Sequence, residues 1–272
     1  MNAKKNTLGK AFWNFDNSSI EAARAYHRRV NEHPFNGQLY DRLVGKLHDQ
    51  HLSHAPMKIL DAGGGTAKWS MYLAEKGHQV TLIDISEAML AVAEENCQAS
   101  GTIDNIKLIQ GDIRAMDLAD NSFDMVVSDR NTISFCGNRT DALKAIRECH
   151  RVLKPGGHFL GSVHNRYREV AFFISKLELA KARALMESGE FNEGGSTAVY
   201  YFTPTELTTT FEEVGFQDIR LMPTTAFVEF IPTAWVLDEQ LINELYEFEE
   251  AAWSLPDTVA MGVRIHFSAE KE

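Results

Sequence analysis

The run Lys58-Ile59-Leu60-Asp61-Ala62-Gly63-Gly64-Gly65-Thr66 ends a short apolar stretch in three consecutive glycines. A turn without Cβ atoms can bring bare backbone N–H groups against a ligand. Asp84 closes the next apolar run. It lies about 20 residues on, where nucleotide-binding βαβ units place the carboxylate that holds the two ribose hydroxyls. Residue types and spacing together describe a nucleoside-bearing cofactor lying across the carboxyl ends of parallel strands.

Phosphate-centred chemistries fit this stretch poorly. The dinucleotide fingerprint G-x-G-x-x-G is met by Gly63 and Gly65, but its last position is Lys68. The phosphate loop of nucleotide hydrolases needs a Gly-Lys-Ser/Thr ending, which is absent. Asp129 with Asn131 sketches a magnesium site, yet no third ligand can be assigned. The histidines and the cysteines Cys97, Cys136 and Cys149 show no zinc spacing. No metal is expected.

Elements of regular type must position these residues. Strand patterns fall at Lys58 to Asp61, Gln79 to Asp84, Ile106 to Gln110, Phe123 to Ser128 and His158 to His164. Helical ones fall at Ala67 to Lys76, Ser86 to Ser100 (Ser86 as N-cap) and Thr140 to Leu153, the last stopped by Pro155-Gly156-Gly157. Such alternation predicts right-handed crossovers and a doubly wound, mostly parallel α/β sheet. Gly63, Asp84, Asp112, Asp129 and His164 all fall at its carboxyl edge. Ahead of the sheet, Ser18 to Leu52 reads as helical, interrupted at His33-Pro34. Beyond it the reading is a helical insertion from Arg166 to Glu190 and a short strand from Thr197 to Phe202. A helix from Pro204, a strand from Gln217 to Phe227, a helix from Asp238 to Trp253 and a last strand from Thr258 to Ser268 follow. A helix between two late strands suits an antiparallel edge hairpin. The expected division is a helical cap over 1–52, a cofactor-binding core over 53–164, a helical lid over 165–203 and the rest of the same α/β domain over 204–272.

The motifs resemble those of class I S-adenosylmethionine-dependent methyltransferases, in the small-molecule branch typified by quinone-biosynthesis methyltransferases. Asp61-Ala62-Gly63-Gly64-Gly65 is the first. Asp84 followed by Ile85-Ser86-x-x-Met89-Leu90 is the second, Gly111-Asp112-Ile113 the third and Phe123-Asp124-Met125-Val126-Val127 the fourth. Leu153-Lys154-Pro155-Gly156-Gly157 closes the series. Ala67 departs from relatives that carry another glycine there. The resemblance implies a seven-stranded Rossmann-like sheet with an antiparallel edge hairpin, S-adenosyl-L-methionine as cofactor, and methyl transfer. It places Gly63, Gly64 and Gly65 at the methionyl part, Asp84 on the ribose, and Asp112 on the adenine amino group. Ile85 and the Ile113 backbone flank the ring, Asp129 meets the methionyl ammonium through backbone or carboxylate, and Arg28 meets the carboxylate. Taken alone, Asp84 also suits a helix cap, Asp112 a turn and Arg28 a solvated helix position.

Displacement at a sulfonium needs alignment and exclusion of water, and a general base is optional. His164 is the best-placed base, though a histidine there also suits a purely shaping role. The acceptor expected is a small organic molecule, methylated on oxygen or nitrogen, in a pocket to which Phe12, Trp13, Phe15, Phe172, Phe173, Tyr200, Tyr201, Phe230 and Trp235 offer aromatic surface. Two alternatives stand beside it: a tRNA-modifying methyltransferase, and a fold relative that binds the cofactor without methyl transfer. The 272 residues carry a net charge of −11, which repels phosphate backbones and disfavours nucleic acid as partner. Missing prolines after Asp129 disfavour base amines as targets. With 44% hydrophobic and 24% charged residues, an odd cysteine count, no apolar leader and no membrane-length apolar run, the chain is expected to be cytoplasmic, with no membrane partner. The oligomeric state is not legible.

Overall fold

The computed structural model describes residues 19–32, 39–192, 198–228, 231 and 239–272. The apolar runs Ile59-Leu60, Val80 to Ile83, Met125 to Val127 and Phe159 to Val163 are buried almost throughout, because helices cover both faces of the strands that carry them. These strands are β1 (Lys58–Ala62), β2 (Gln79–Asp84), β3 (Ile106–Gln110), β4 (Phe123–Ser128) and β5 (Leu153–His164). With β8 (Phe216–Thr224) and β9 (Arg264–Lys271) they form a seven-stranded sheet in the order β3-β2-β1-β4-β5-β9-β8. The first five are mutually parallel, whereas β9 runs antiparallel to both β5 and β8. The strand order reverses between β1 and β4, the crevice where ligands of such sheets bind.

Helices α1 (Ile20–Glu32) and α2 (Asp41–Asp49) precede the sheet. Next come α3 (Lys68–Glu75), α4 (Glu87–Ser100) and α5 (Arg139–Val152). The Ser86 hydroxyl accepts the Met89 N–H and starts α4 as expected. One face packs Leu73, Ala74, Ala93 and Cys97 under the sheet. The other packs Ala145, Ile146 and Cys149 with a cluster of Phe159, Phe211, Phe216 and Phe267.

Four boundaries differ from expectation. Pro155-Gly156-Gly157 does not separate helix from strand, since β5 begins at Leu153, paired with Phe123. The insertion is two helices, α6 (Arg166–Ser175) and α7 (Leu179–Ser188), broken where Leu177 adopts a left-handed φ of 59°. Among the described residues of the Thr197 to Phe202 stretch, β7 (Val199–Tyr200) alone is strand, and it pairs with β6 (Glu190–Phe191) apart from the main sheet. Pro256 opens a 3-10 turn over Pro256–Met261, so the last strand starts only at Arg264. Helices α8 (Pro204–Val214) and α9 (Glu239–Ala252) complete the order.

Candidate cofactor site and the charged cluster beside it

The glycine turn leaves β1 at Ala62. Its amides are not bare: Gly63 N–H donates to the Ile83 carbonyl at 2.7 Å, and Gly64 N–H points to the same oxygen at 3.4 Å. Gly65 N–H donates to Asp84 Oδ2 at 2.9 Å. The turn therefore offers no row of donors to a phosphate, which corrects the expectation of free N–H groups and argues against a dinucleotide. Gly63, at φ +78°, would set a Cβ 2.1 Å from the Thr132 side chain, whereas a Cβ on Gly65 would meet nothing within 4 Å. Gly65 thus borders open space.

Asp84 ends β2 with each oxygen taking one backbone N–H, from Gly65 and, at 2.9 Å, from Ser86. A carboxylate has about four acceptor positions, so capacity for a diol remains. Burial raises its pKa, against the pull of those amides. Ile85 is 64% exposed directly beside it, a large apolar side chain in water at the mouth of the crevice. Asp112, past β3, is gripped by Arg114 through Nε at 2.9 Å and Nη2 at 2.6 Å, which holds its carboxyl below the usual range. Ile113 turns its side chain into the core, so only its backbone faces outward chemistry.

Helix α1 lies over the turn, but not through Arg28. His27 Nδ1 is 3.0 Å from Thr66 Oγ1, and Asn31 accepts from Lys68 Nζ at 2.6 Å, while Arg28 sits on the exposed face. Lys68 also pairs with Asp41 on α2.

After β4 the chain turns through Arg130 and Asn131, both left-handed. Asp129 places its carboxylate between two imidazoles, 2.8 Å from His48 Nε2 and 3.7 Å from His266 Nε2. Burial alone would raise this carboxyl; the electrostatic pull of His48 and His266 outweighs it and holds the group below the ordinary range. His266 in turn contacts Thr224 through Nδ1. The Tyr40 ring lies between the guanidinium groups of Arg130 and Arg264, at 4.8 and 5.0 Å, and burial pushes its hydroxyl up to about 12. Arg130 reaches Asp41 at 3.1 Å. Of the two routes expected for Asp129, this arrangement occupies the carboxylate and leaves the backbone carbonyl, which already accepts from Thr132 Oγ1 at 3.1 Å.

His164 ends β5 as expected. It is buried edge-on to Phe135 and against Tyr201, and burial followed by the nearby Arg264 pushes its pKa down to about 3. A base that weak is ready to accept a proton only from an acidic acceptor. His48, His266, Tyr40, Arg130 and Arg264 were not singled out from sequence. Arg264 and His266 alternate on a strand, and Asp41 and His48 lie seven residues apart on one helix; neither spacing signals a partner in another segment. Phe12, Trp13, Phe15, Phe230 and Trp235 lie outside the described residues. Among the described residues, no group of three His, Cys, Asp or Glu side chains is arranged to hold a metal.

Comparison with known proteins decides the class. Residues 59–157 match a family described as methyltransferase domain. The ubiquinone/menaquinone biosynthesis C-methyltransferase UbiE of Vibrio cholerae is 44% identical over 108 residues, which are 38% of this chain and 39% of that protein. Residues 59–157 carry a methyltransferase domain. The chain spans about 39% of the length of the curated relatives it matches. The fold extends further. A SAM-dependent methyltransferase of Methanosarcina mazei superposes over 83% of this chain and 96% of its own with a TM-score of 0.58, at 19% identity. The [4+2]-cyclase SpnF superposes over 85% of this chain and 81% of its own with a TM-score of 0.56, also at 19% identity. Among the described residues no helix is long and apolar enough to cross a membrane.

Proposed function

We propose that the protein transfers a methyl group from S-adenosyl-L-methionine to a small organic acceptor at oxygen or nitrogen. The observation that carries this reading is the pairing of an amide-saturated glycine turn with Asp84: a site without phosphate donors but with a carboxylate poised for a ribose. When bound, the cofactor supplies an electrophilic methyl on a sulfonium. Gly63 to Gly65 would border it, Asp84 would hold the ribose, and Ile85, Asp112 and the Ile113 backbone would hold the base. Arg114 keeps Asp112 ionised and oriented, so that it acts as an acceptor.

On the acceptor side, Phe135 and Tyr201 flank His164 and favour a moderately apolar molecule. With His164 pushed down to about 3, the site lacks a strong base there. An amine that is neutral at working pH, or a hydroxyl acidic enough to ionise unaided, fits this best. His164 then orients the acceptor rather than deprotonating it. The relatives' C-methylation belongs to proteins matched here over their cofactor-binding part only.

Calorimetry with S-adenosylhomocysteine tests the cofactor, and turnover of methyl-labelled cofactor against a metabolite extract tests the transfer. Binding followed by label on a small molecule is the expected result. Binding without any transferred label would mean that the fold serves another reaction, and absence of binding would remove the proposal.

A further inference from the structure

The α6–α7 hairpin is apolar on both sides. Inward, Val170, Phe173, Ala182 and Leu185 pack with Val199 and Tyr201. Outward, Leu177 is 83% exposed, Leu179 57% and Ile174 49%, with Met186 further along the same hairpin. Leu177 stands at the tip in a left-handed backbone conformation that a branched side chain tolerates less well than glycine, and its side chain points into solvent. An ordinary surface helix puts polar residues on its outer side; here Ile174, Leu177, Leu179 and Met186 share that side with Ser175, Lys176, Arg183 and Glu187.

Charge separates this hairpin from the rest of the chain. Between residues 166 and 188 stand five basic residues, Arg166, Arg168, Lys176, Lys181 and Arg183, against three glutamates, in a protein of net charge −11; Arg166 is taken by Glu206 on α8 at 2.7 Å. Glu178 is already paired with Lys181 at 2.8 Å. The Lys176 stem lies along Phe172, its ammonium 4.4 Å from the ring centre, at the base of the tip. A leucine tip rimmed by lysines matches an interface that is apolar below and anionic above.

We propose that the α6–α7 hairpin docks on an anionic phospholipid surface, with Leu177 and Leu179 entering the boundary between headgroups and acyl chains. A second copy of the chain is the poorer occupant, because two such hairpins would meet with like charge. Helix α6 starts two residues after His164, at the carboxyl end of β5. Docking therefore turns the acceptor side of the sheet toward the bilayer. The inference goes beyond methyl transfer, and vesicle binding can be read without cofactor or acceptor, so failure of either reading is seen separately. It also revises the expectation of no membrane partner, which rested on the lack of a spanning run.

The test is co-sedimentation of the full chain with phosphatidylcholine vesicles, with and without phosphatidylglycerol. Wild type is expected to pellet with the anionic vesicles and to be partly released by ~0.5 M NaCl. Leu177→Asp combined with Leu179→Asp should lower the partition coefficient at least about tenfold at an unchanged melting temperature. Lys176→Glu should remove the preference for phosphatidylglycerol. Should the double aspartate variant fail to fold, Leu177→Gly, which suits the left-handed backbone, should still weaken binding. The proposal is overturned if wild type ignores anionic vesicles or if the folded variants bind as wild type does. It is equally overturned if wild type forms a dimer in vesicle-free buffer that the Leu177 variants dissolve, since the face would then belong to a second copy.

Discussion

The turns after β1 to β3 and the charged cluster under α2 sit side by side and are built in opposite ways. The turns work through backbone and single acids that are near in sequence or one crossover apart: Gly65 bonds Asp84 across one βαβ unit, and Arg114 bonds Asp112 two residues away. The cluster works through side chains brought from three distant segments, with His48 from α2, Asp129 after β4 and His266 from β9. The first design leaves acceptor capacity open toward a ligand. In the second, the charges face one another and join the N-terminal helix to the antiparallel edge of the sheet. The difference teaches that an acid beside the cofactor crevice is not a ligand group by position alone; what its oxygens already hold decides.

The largest effect expected from breaking this contrast comes from Asp129→Ala. It strips a buried pair of one partner and should cost about 3–5 kcal/mol in urea unfolding. A loss under about 1 kcal/mol would mean that the cluster contributes little. Asp84→Ala should weaken S-adenosylhomocysteine binding by about 1.5–3 kcal/mol for charged hydrogen bonds lost, read by calorimetry on protein shown to be folded. Unchanged affinity would remove Asp84 from the ribose.

Two buried carboxylates sharpen the contrast through pH. Asp61, on β1, is pushed up to about 7 by burial, with Ser70 Oγ at 2.6 Å opposing. Its folded pKa lies above its unfolded one, so what it contributes to stability is present below about pH 4 and lost as pH rises toward 7. Asp129 is shifted the other way, and its contribution is lost as pH falls below the ordinary carboxylate range. Asp61→Asn should flatten the stability profile between about pH 4 and 7, by at most about 1.4 kcal/mol per pH unit, and leave the acid limb unchanged. An unchanged slope in that window would contradict the assignment. The smallest effect belongs to Ala67→Gly. Ala67 is left-handed at φ 68° and fully buried. Relief of backbone strain, about 1 kcal/mol, opposes loss of a buried methyl, about 0.8 kcal/mol, so the melting temperature should barely move. A drop of many degrees would show that the methyl matters more than the strain.

From sequence alone, alternating strands and helices gave away the parallel part of the sheet, because apolar runs of strand length between helical periods have few other ways to bury themselves. The glycine turn, Asp84 and the Ser86 cap were legible for the same reason: each is a bargain between residues a few positions apart, or one crossover apart. Tertiary structure alone decided which way the Asp129 carboxylate turns, that His27 and Asn31 rather than Arg28 face the turn, and that Leu177 stands out in solvent. Those outcomes depend on desolvation and on charges that meet only when α2 and β9 close over β4, and no local spacing records which distant groups a buried charge will find.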